Sequence, residues 1–278
     1  MENALPDNAI LIRAITDAGE MRAVEDLQQE VWGLNERDIV SFMMLLPTLA
    51  VGGLLLGAFD GTTLVAFAYA IPGHEDGQLI LHSDMLAVKT AYRDHNLGYR
   101  LKLAQRAEAL ARGIRRITWT FDPLQSRNAH LNFGKLGVTA NRYICDFYGP
   151  SSSPLHRGGT DRWWVHWDLD SGRVKARLAG NAATEPDAPR LITVAPDGTP
   201  QLLVQPNWSV PTLKLEIPRH ITQWQTENLP LVARWRAVTR DVCTDALAQG
   251  YYVTDFCRAP ARELRGGTYI LRKESFKE

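Results

Sequence analysis

Residues Leu79–Val138 read LILHSDMLAVKTAYRDHNLGYRLKLAQRAEALARGIRRITWTFDPLQSRNAHLNFGKLGV, and this stretch decides the fold. Gln78–Val88 is an apolar run of strand length, and a polar turn after it ends at Gly98. Gly98–Arg112 then repeats apolar residues at helical spacing, which predicts a helix with Leu101, Ala104, Ala107, Leu110 and Ala111 on its buried stripe. Gly113 stands at its C′ position, where glycine ends helices. Arg116–Phe121 is rich in β-branched and aromatic residues, as strands are, and Asn128–Lys135 reads as a short helix. The order strand, turn, helix, strand sets the unbonded N–H groups of a helix start beside a strand end. Such a place suits a pyrophosphate.

Toward the N-terminus, Ile10–Ile15 predicts a strand, and Asp17 predicts an N-cap for a helix spaced on Met21, Val24, Leu27 and Val31. Glu36–Leu46 predicts a second helix ending before Pro47. Val51–Asp60 and Leu64–Pro72 are apolar strands joined by the turn signal Asp60-Gly61, and a Gly73–Gly77 loop leads into the next strand. Toward the C-terminus, Thr139–Tyr148 and Arg162–Asp168 predict a closing pair of strands. Ser171–Pro189, rich in Gly, Ala and Pro, reads as a linker or long surface loop. Short strands follow at Leu191–Val194, Leu202–Val204 and Leu213–Ile217, then a helix over Leu231–Ala248 and strands at Tyr251–Phe256 and Thr268–Arg272. The expected division is a domain over residues 1–170, a linker over 171–189 and a smaller α+β domain over 190–278.

The 278 residues carry 31 basic and 31 acidic side chains, a balance that gives no pull toward nucleic acid or an anionic membrane surface. No apolar run approaches the ~18 residues of a membrane helix. Cys145, Cys243 and Cys257 have no paired C-x-x-C spacing, which argues against a disulfide framework or structural zinc and fits a reducing compartment. The opening MENALPDNAILIRAI lacks a basic stretch followed by a long apolar block, so no signal peptide is expected and a cytoplasmic location is. His156 and His166 have no metal-ligand partner at helical or turn spacing, so no metal is expected. Ser151-Ser152-Ser153 reads as a loop, and no G-x-S-x-G elbow suggests a hydrolase.

Arg93–Gly98 has the form R-x-x-N-x-G, followed at a distance by SRNAHLNFGKLGV. The pair resembles the acyl-CoA-binding half of the GNAT N-acyltransferases, which carry Q/R-x-x-G-x-G/A and then N-x-x-A-x-x-x-Y-x-K-x-G-F. Arg93, Gly98, Ala129, Phe133, Lys135 and Gly137 fall on those spacings. Asn96 replaces the first glycine, and Asn is the residue after Gly most tolerant of positive φ. Ser126, Phe133 and Val138 depart from the family's Asn, Tyr and Phe. A Rossmann reading retains only one glycine of G-x-G-x-x-G. The wording TWTFDPLQSRNAHLNFGKLG, RYICDFYG and DRWWVHWDLDS, with the tail from LKLEIPRH to GYYVTDFCR, resembles a subfamily of two-part bacterial predicted acetyltransferases. Some of its relatives act as amino-acid N-succinyltransferases.

The resemblance implies an α/β (α+β) GNAT fold, a mixed and mostly antiparallel sheet flanked by helices, plus the smaller C-terminal α+β domain. It implies transfer from acetyl-CoA or succinyl-CoA to the amino group of a small molecule such as an amino acid. CoA would be held by Leu86, Ala87, Val88, Arg93, Asp94, His95, Asn96, Leu97, Gly98, Tyr99, Asn128, Phe133 and Lys135. Alternation along the strand places Ile80, His82, Asp84 and Leu86 on one face, which makes His82 and Asp84 the candidate catalytic pair and Glu75 another candidate base. Phe133 has no hydroxyl to protonate a leaving thiolate, a part that solvent, Tyr143, Asn132 or Ser126 would take. Arg127 and Lys135 are candidates for phosphates or an acidic acyl group, and Arg142 and Tyr143 for a substrate carboxylate. Trp163, Trp164 and Trp167 read as core or interdomain residues. A protein acetyltransferase and a catalytically inactive acyl-CoA sensor stand as alternatives. The tail reads equally as a degenerate GNAT-like unit, a lid or a dimerisation surface, the last implying a homodimer.

Overall fold

The computed structural model describes residues 10–149, 156–202 and 206–273, which form two compact units, Met1–Trp119 and Thr120–Glu278. Residues 151–153 and 203–204, a loop and part of a strand by sequence, lie outside the described residues.

The first unit is a sheet in the order β1 (Ile10–Ala14), β2 (Leu54–Asp60), β3 (Thr63–Glu75), β4 (Gln78–Val88) and β5 (Arg116–Phe121, of which the first four residues belong here). Its first four strands pair antiparallel and β4 pairs parallel to β5. Gly61, at φ 57°, turns β2 into β3 as the Asp-Gly signal predicts. The Gly73–Gly77 loop does not form. Strand β3 continues to Glu75, and Asp76 and Gly77, both at positive φ, make a two-residue hairpin turn.

Helix α1 (Ala18–Trp32) starts where Asp17 accepts from the N–H groups of Gly19 and Glu20. It buries Met21, Val24 and Leu27 against Leu55, Phe59, Phe67 and Tyr69 of the sheet, and each large side chain so buried contributes roughly 1.5–3 kcal/mol. Helix α2 runs over Phe42–Ala50, not Glu36–Leu46, and continues past Pro47. A proline there removes one internal bond. The turn beyond it is anchored instead by side chains, because Tyr69 donates to Thr48 Oγ1 at 2.8 Å and Thr48 donates to the Met44 carbonyl at 2.7 Å.

Helix α3 (Leu97–Ala111) ends at Gly113, φ 75°. Its buried residues are Leu97, Leu101, Lys102, Gln105 and Ala109, while Ala107 and Ala111 are exposed, so the helix is rotated from the expected stripe. Two of the buried five are polar, and the reason lies in what β4 offers them.

The second unit contains α4 (Ser126–Ala129), which runs on as a π-helical segment His130–Leu136, then β6 (Thr139–Ile144), β7 (Arg162–Asp168), α5 (Gly172–Leu178), β8 (Arg190–Val194), β9 (Pro200–Leu202), β10 (Thr212–Pro218), α6 (Ile221–Glu227), α7 (Leu229–Ala248), β11 (Tyr252–Arg258) and β12 (Arg265–Arg272). Its strands lie in the order β7-β6-β11-β12-β10-β8-β9. The stretch expected as a linker opens with α5, capped by Ser171. Arg173 and Arg177 of that helix share Asp255 of β11 at 2.9 and 2.6 Å, which ties the segment down. The aromatic core includes Trp163, Trp167, Trp235, Tyr269, Phe133 and Phe256. Its polar tips find backbone carbonyls where they can, Trp167 on Leu136, Trp235 on Gly198 and Tyr269 on Pro123.

Candidate active site

The strand that should carry the chemistry is irregular. Tyr69 of β3 stands opposite Met85, yet Ile71 stands opposite His82, so Ser83 and Asp84 together face the single residue Ala70. This is a β-bulge, and it breaks the alternation on which a common face for Ile80, His82, Asp84 and Leu86 depended. Beyond the bulge Met85 and Ala87 join the core beneath α1. Leu86 turns to α3, where its Cδ2 lies 3.4 Å from where a Cβ on Gly98 would be. Leu86 is therefore not on the His82 face.

At the same place β4 leaves β5. Their parallel pairing consists of Leu81↔Ile117 and His82↔Thr118. Met85–Val88 pair with Tyr69–Ala66 of β3.

Val88 leads through a 3-10 turn, Thr90–Tyr92, to the start of α3. Two contacts hold this connection: Lys89 pairs with Glu30 at 2.9 Å, and Tyr92 donates to Asp60 Oδ2 at 2.7 Å. Arg93 reaches the Val88 carbonyl at 3.5 Å. Asp94 (φ 71°) and Asn96 (φ 55°) are both left-handed, the conformation for which Asn96 was judged a fitting replacement of glycine. The Asn96 side chain makes no capping bond, and no acidic residue stands in the first turn of α3. A helix start with these properties accepts an anion. Arg93, Asp94 and Asn96 are exposed and His95, Gly98 and Tyr99 are partly so, whereas Leu97 is buried and acts as an anchor for the turn.

Burial holds the His82 imidazole down at about 4, with the Lys102 ammonium adding to the fall and Glu75 opposing it. His82 Nδ1 shares a hydrogen bond of 2.9 Å with the Thr118 hydroxyl. Asp84 is exposed, yet enough protein surrounds it for desolvation to raise its carboxyl above the usual value. Glu75, half-buried at the far end of the hairpin, lies 3.7 Å from Arg116. Beneath the strand, Lys102 donates to Ser83 Oγ at 2.7 Å and lies 3.8 Å from the centroid of the Trp119 ring. Ser83 in turn donates to Gln105 Oε1 at 3.0 Å. Burial alone brings the Lys102 amine down to about 7. Neither Lys102 nor Gln105 was singled out from the sequence, although Leu97, Leu101, Gln105 and Ala109 recur every four residues and could have marked the true buried face.

The structure thus brings together His82, Asp84, Leu86, Ala87, Val88 and Arg93–Tyr99 on one strand, one turn and one helix start. Asn128, Phe133 and Lys135 belong to the second unit. There Asn128 is exposed and Lys135 half-buried. Phe133 is fully buried, packed edge-on against Phe121 and Tyr269 at 6.1 and 5.7 Å, so it is a core residue with no surface to give a ligand. Tyr143 donates to Asp161 Oδ2 at 2.8 Å, and burial and that carboxylate push its phenol far above the usual range, which makes it a poor proton donor. Arg142 lies over the Trp164 ring at 5.1 Å. Among the described residues no group of three or more His, Cys, Asp or Glu could hold a metal ion, and no helix is long and apolar enough to cross a membrane.

No family model and no curated protein matches the chain. Solved structures similar to it include the ribosomal-protein-S18-alanine N-acetyltransferase from Escherichia coli, at 15% identity over 59% of this chain and 96% of that one, with a TM-score of 0.46. Another is yncA from Salmonella typhimurium, solved with its cofactor acetyl-CoA, at 17% identity over 59% and 96% and a TM-score of 0.47. A third is an acetyltransferase of the GNAT family from Streptococcus pneumoniae, at 14% identity over 56% and 98% and a TM-score of 0.45. At such identities the likeness is one of fold alone.

Proposed function

We propose that this protein is an acyl-CoA-dependent N-acyltransferase. The observation that carries the reading is the β4–α3 connection: a strand whose parallel pairing ends at His82, then a turn with two left-handed residues opening a helix to which Asn96 gives no side-chain cap and whose first turn holds no acidic residue. The turn suits a pyrophosphate, and the β4 backbone at Leu86–Val88 suits the amides of an extended pantetheine arm. Bound acyl-CoA supplies the electrophilic thioester carbonyl.

The protein's own part is positioning and proton handling. An arriving ammonium must lose a proton before its lone pair forms the N–C bond; the C–S bond then breaks, sulfur leaves with the electron pair, and the second nitrogen proton passes to the thiolate through solvent. Asp84, exposed and with its carboxyl raised by desolvation, is the better acceptor for that proton. His82, neutral at pH 7 and a weak base, contributes a polar wall fixed by Thr118. The balanced charge of the chain favours a small amine over a strongly charged polymer. Acetyl and succinyl remain the donors to compare, in a cytoplasmic setting where Cys145, Cys243 and Cys257 stay reduced.

Thermal unfolding with CoA, acetyl-CoA and succinyl-CoA tests this. Ligand at 100 times its dissociation constant adds ~2.7 kcal/mol, and each kcal/mol moves the midpoint by roughly 2–4 °C for a domain of this size. A rise of about 5 °C or more is expected, and no rise with any of the three overturns the reading. One observation favours a second reading, an acyl-CoA sensor without turnover: the two groups best placed to move protons by analogy, His82 and Phe133, are a weak base and a buried hydrocarbon. Binding without any amine-dependent release of CoA thiol across an amine panel would select it.

A further inference from the structure

The fork between β4 and β5 has a cation lodged in it. The last parallel pair is His82↔Thr118, and the next residues along, Ser83 and Trp119, are the two that Lys102 touches. Lys102 is 4% exposed, and among the described residues it has no carboxylate within ion-pair distance. Beside it Gln105, fully buried, spends its oxygen on Ser83 and leaves Nε2 without a hydrogen-bond partner. Burying an unpaired ammonium beside an unsatisfied amide is expensive, and a methionine would fill the same volume without the cost. The fold tolerates the arrangement immediately past the last β4–β5 pair.

We propose that Lys102 is a positioning residue for the acyl transfer, its ammonium tying Ser83 of the bulge to the Trp119 ring and so fixing the course of β4 just past its last pair with β5. The inference rests on the acyl-CoA reading above. The charge is what does the tying: the ammonium donates to Ser83 and is drawn to the face of the indole, and the neutral amine keeps a hydrogen bond without charge assistance and loses the attraction to the ring. Of the titratable groups around it, His82 of β4 feels the ammonium, while Thr118 and Trp119 of β5 and Gln105 of its own helix do not titrate. Glu75 of β3 acts on His82.

The test is calorimetric titration of acetyl-CoA into the full-length protein and its Lys102→Met variant between pH 6 and pH 9. Ionisations of the ligand are common to both proteins and cancel. At pH 6 the variant is expected to bind about tenfold more weakly. By pH 9, with the wild-type amine deprotonated, the two affinities should converge. A side chain that merely filled space would give a constant ratio at every pH, which would overturn the proposal, as would equal affinities throughout. Ser83→Ala, which cuts the tie while leaving the cation, should reproduce the same pH-dependent loss even if Lys102→Met fails to fold. In NMR titrations the His82 midpoint should rise by about one pH unit in Lys102→Met; an unmoved midpoint counts against the proposal. No acetyl-CoA binding by the wild type would overturn the acyl-CoA reading itself, a result distinct from binding that ignores Lys102.

Discussion

The Tyr92 hydroxyl donates to Asp60 Oδ2 at 2.7 Å, joining the residue that ends the β2 strand to the connection that delivers α3. Thirty-two residues separate the two in sequence. The contact is half-buried and orients the segment immediately before Arg93, outside the apolar core beneath α1. Tyr92→Phe is therefore expected to leave the unfolding midpoint nearly unchanged while weakening CoA binding about threefold to tenfold. Calorimetry with free CoA checks it. Unaltered affinity would mean that the turn holds its shape without this bond.

Asn96 at φ 55° sets up a comparison of three side chains at one position. Glycine adopts this conformation freely, so Asn96→Gly should bind CoA much as the wild type does. A β-branched residue is strained there by roughly 1–2 kcal/mol, and Asn96→Val should lose both stability and affinity. If valine binds CoA as well as glycine, the left-handed geometry is not what holds the phosphate.

His82 gives a pH dependence with a definite sign. Its folded value of about 4 lies below the ordinary value of 6.5, so between those values the unfolded chain binds more protons than the folded one. Stability contributed by keeping this imidazole neutral is fully present above about 6.5 and is lost as pH falls toward 4. Chemical unfolding at pH 7 and pH 5 should show a loss of roughly 1–2 kcal/mol that His82→Gln removes. An identical loss in the variant would place the effect elsewhere in the chain.

Lys102 has the same sign in a higher window. Folded at about 7 and near 10.5 when unfolded, it makes stability grow as pH rises from 7 toward 10.5. Lys102→Met should flatten that rise and, at pH 7, unfold at a higher temperature than the wild type by several degrees. A lower midpoint would mean that the ammonium's contacts with Ser83 and Trp119 outweigh its desolvation.

Phe133→Tyr restores the hydroxyl that the GNAT pattern has at this spacing, yet the ring sits among Phe121 and Tyr269. A phenol oxygen placed there without a partner costs about 1–3 kcal/mol. We expect a lower unfolding midpoint and CoA release within about tenfold of the wild-type rate. A large gain in rate would reinstate this position as part of the catalytic apparatus.

Much of this was legible in the sequence where local chemistry speaks for itself. Asp17 capped its helix, Gly61 and Gly113 turned the chain where expected, and Asn96 took the left-handed conformation that its replacement of glycine implied. What stayed hidden depends on partners far along the chain. The bulge at Ser83–Asp84 exists only in the register between two strands, and no residue type announces it. Helix α2 persists beyond Pro47 because Tyr69, twenty-one residues away, bonds Thr48. Lys102 and Gln105 are buried because Ser83 awaits them, so polarity in sequence misreported the inner face of α3. Phe133 matched a motif by spacing, and only the aromatic cluster shows that it serves packing.

The buried ammonium also bears on how this protein can change over generations. A selection for heat resistance alone would enrich replacements of Lys102 by Met or Leu, since each relieves an uncompensated charge in a dry place. If the lysine fixes the course of β4, those sturdier descendants would be the ones that have stopped working. Persistence of lysine at this position in lineages that live hot would then be a signature of purifying selection on the reaction and not on the fold.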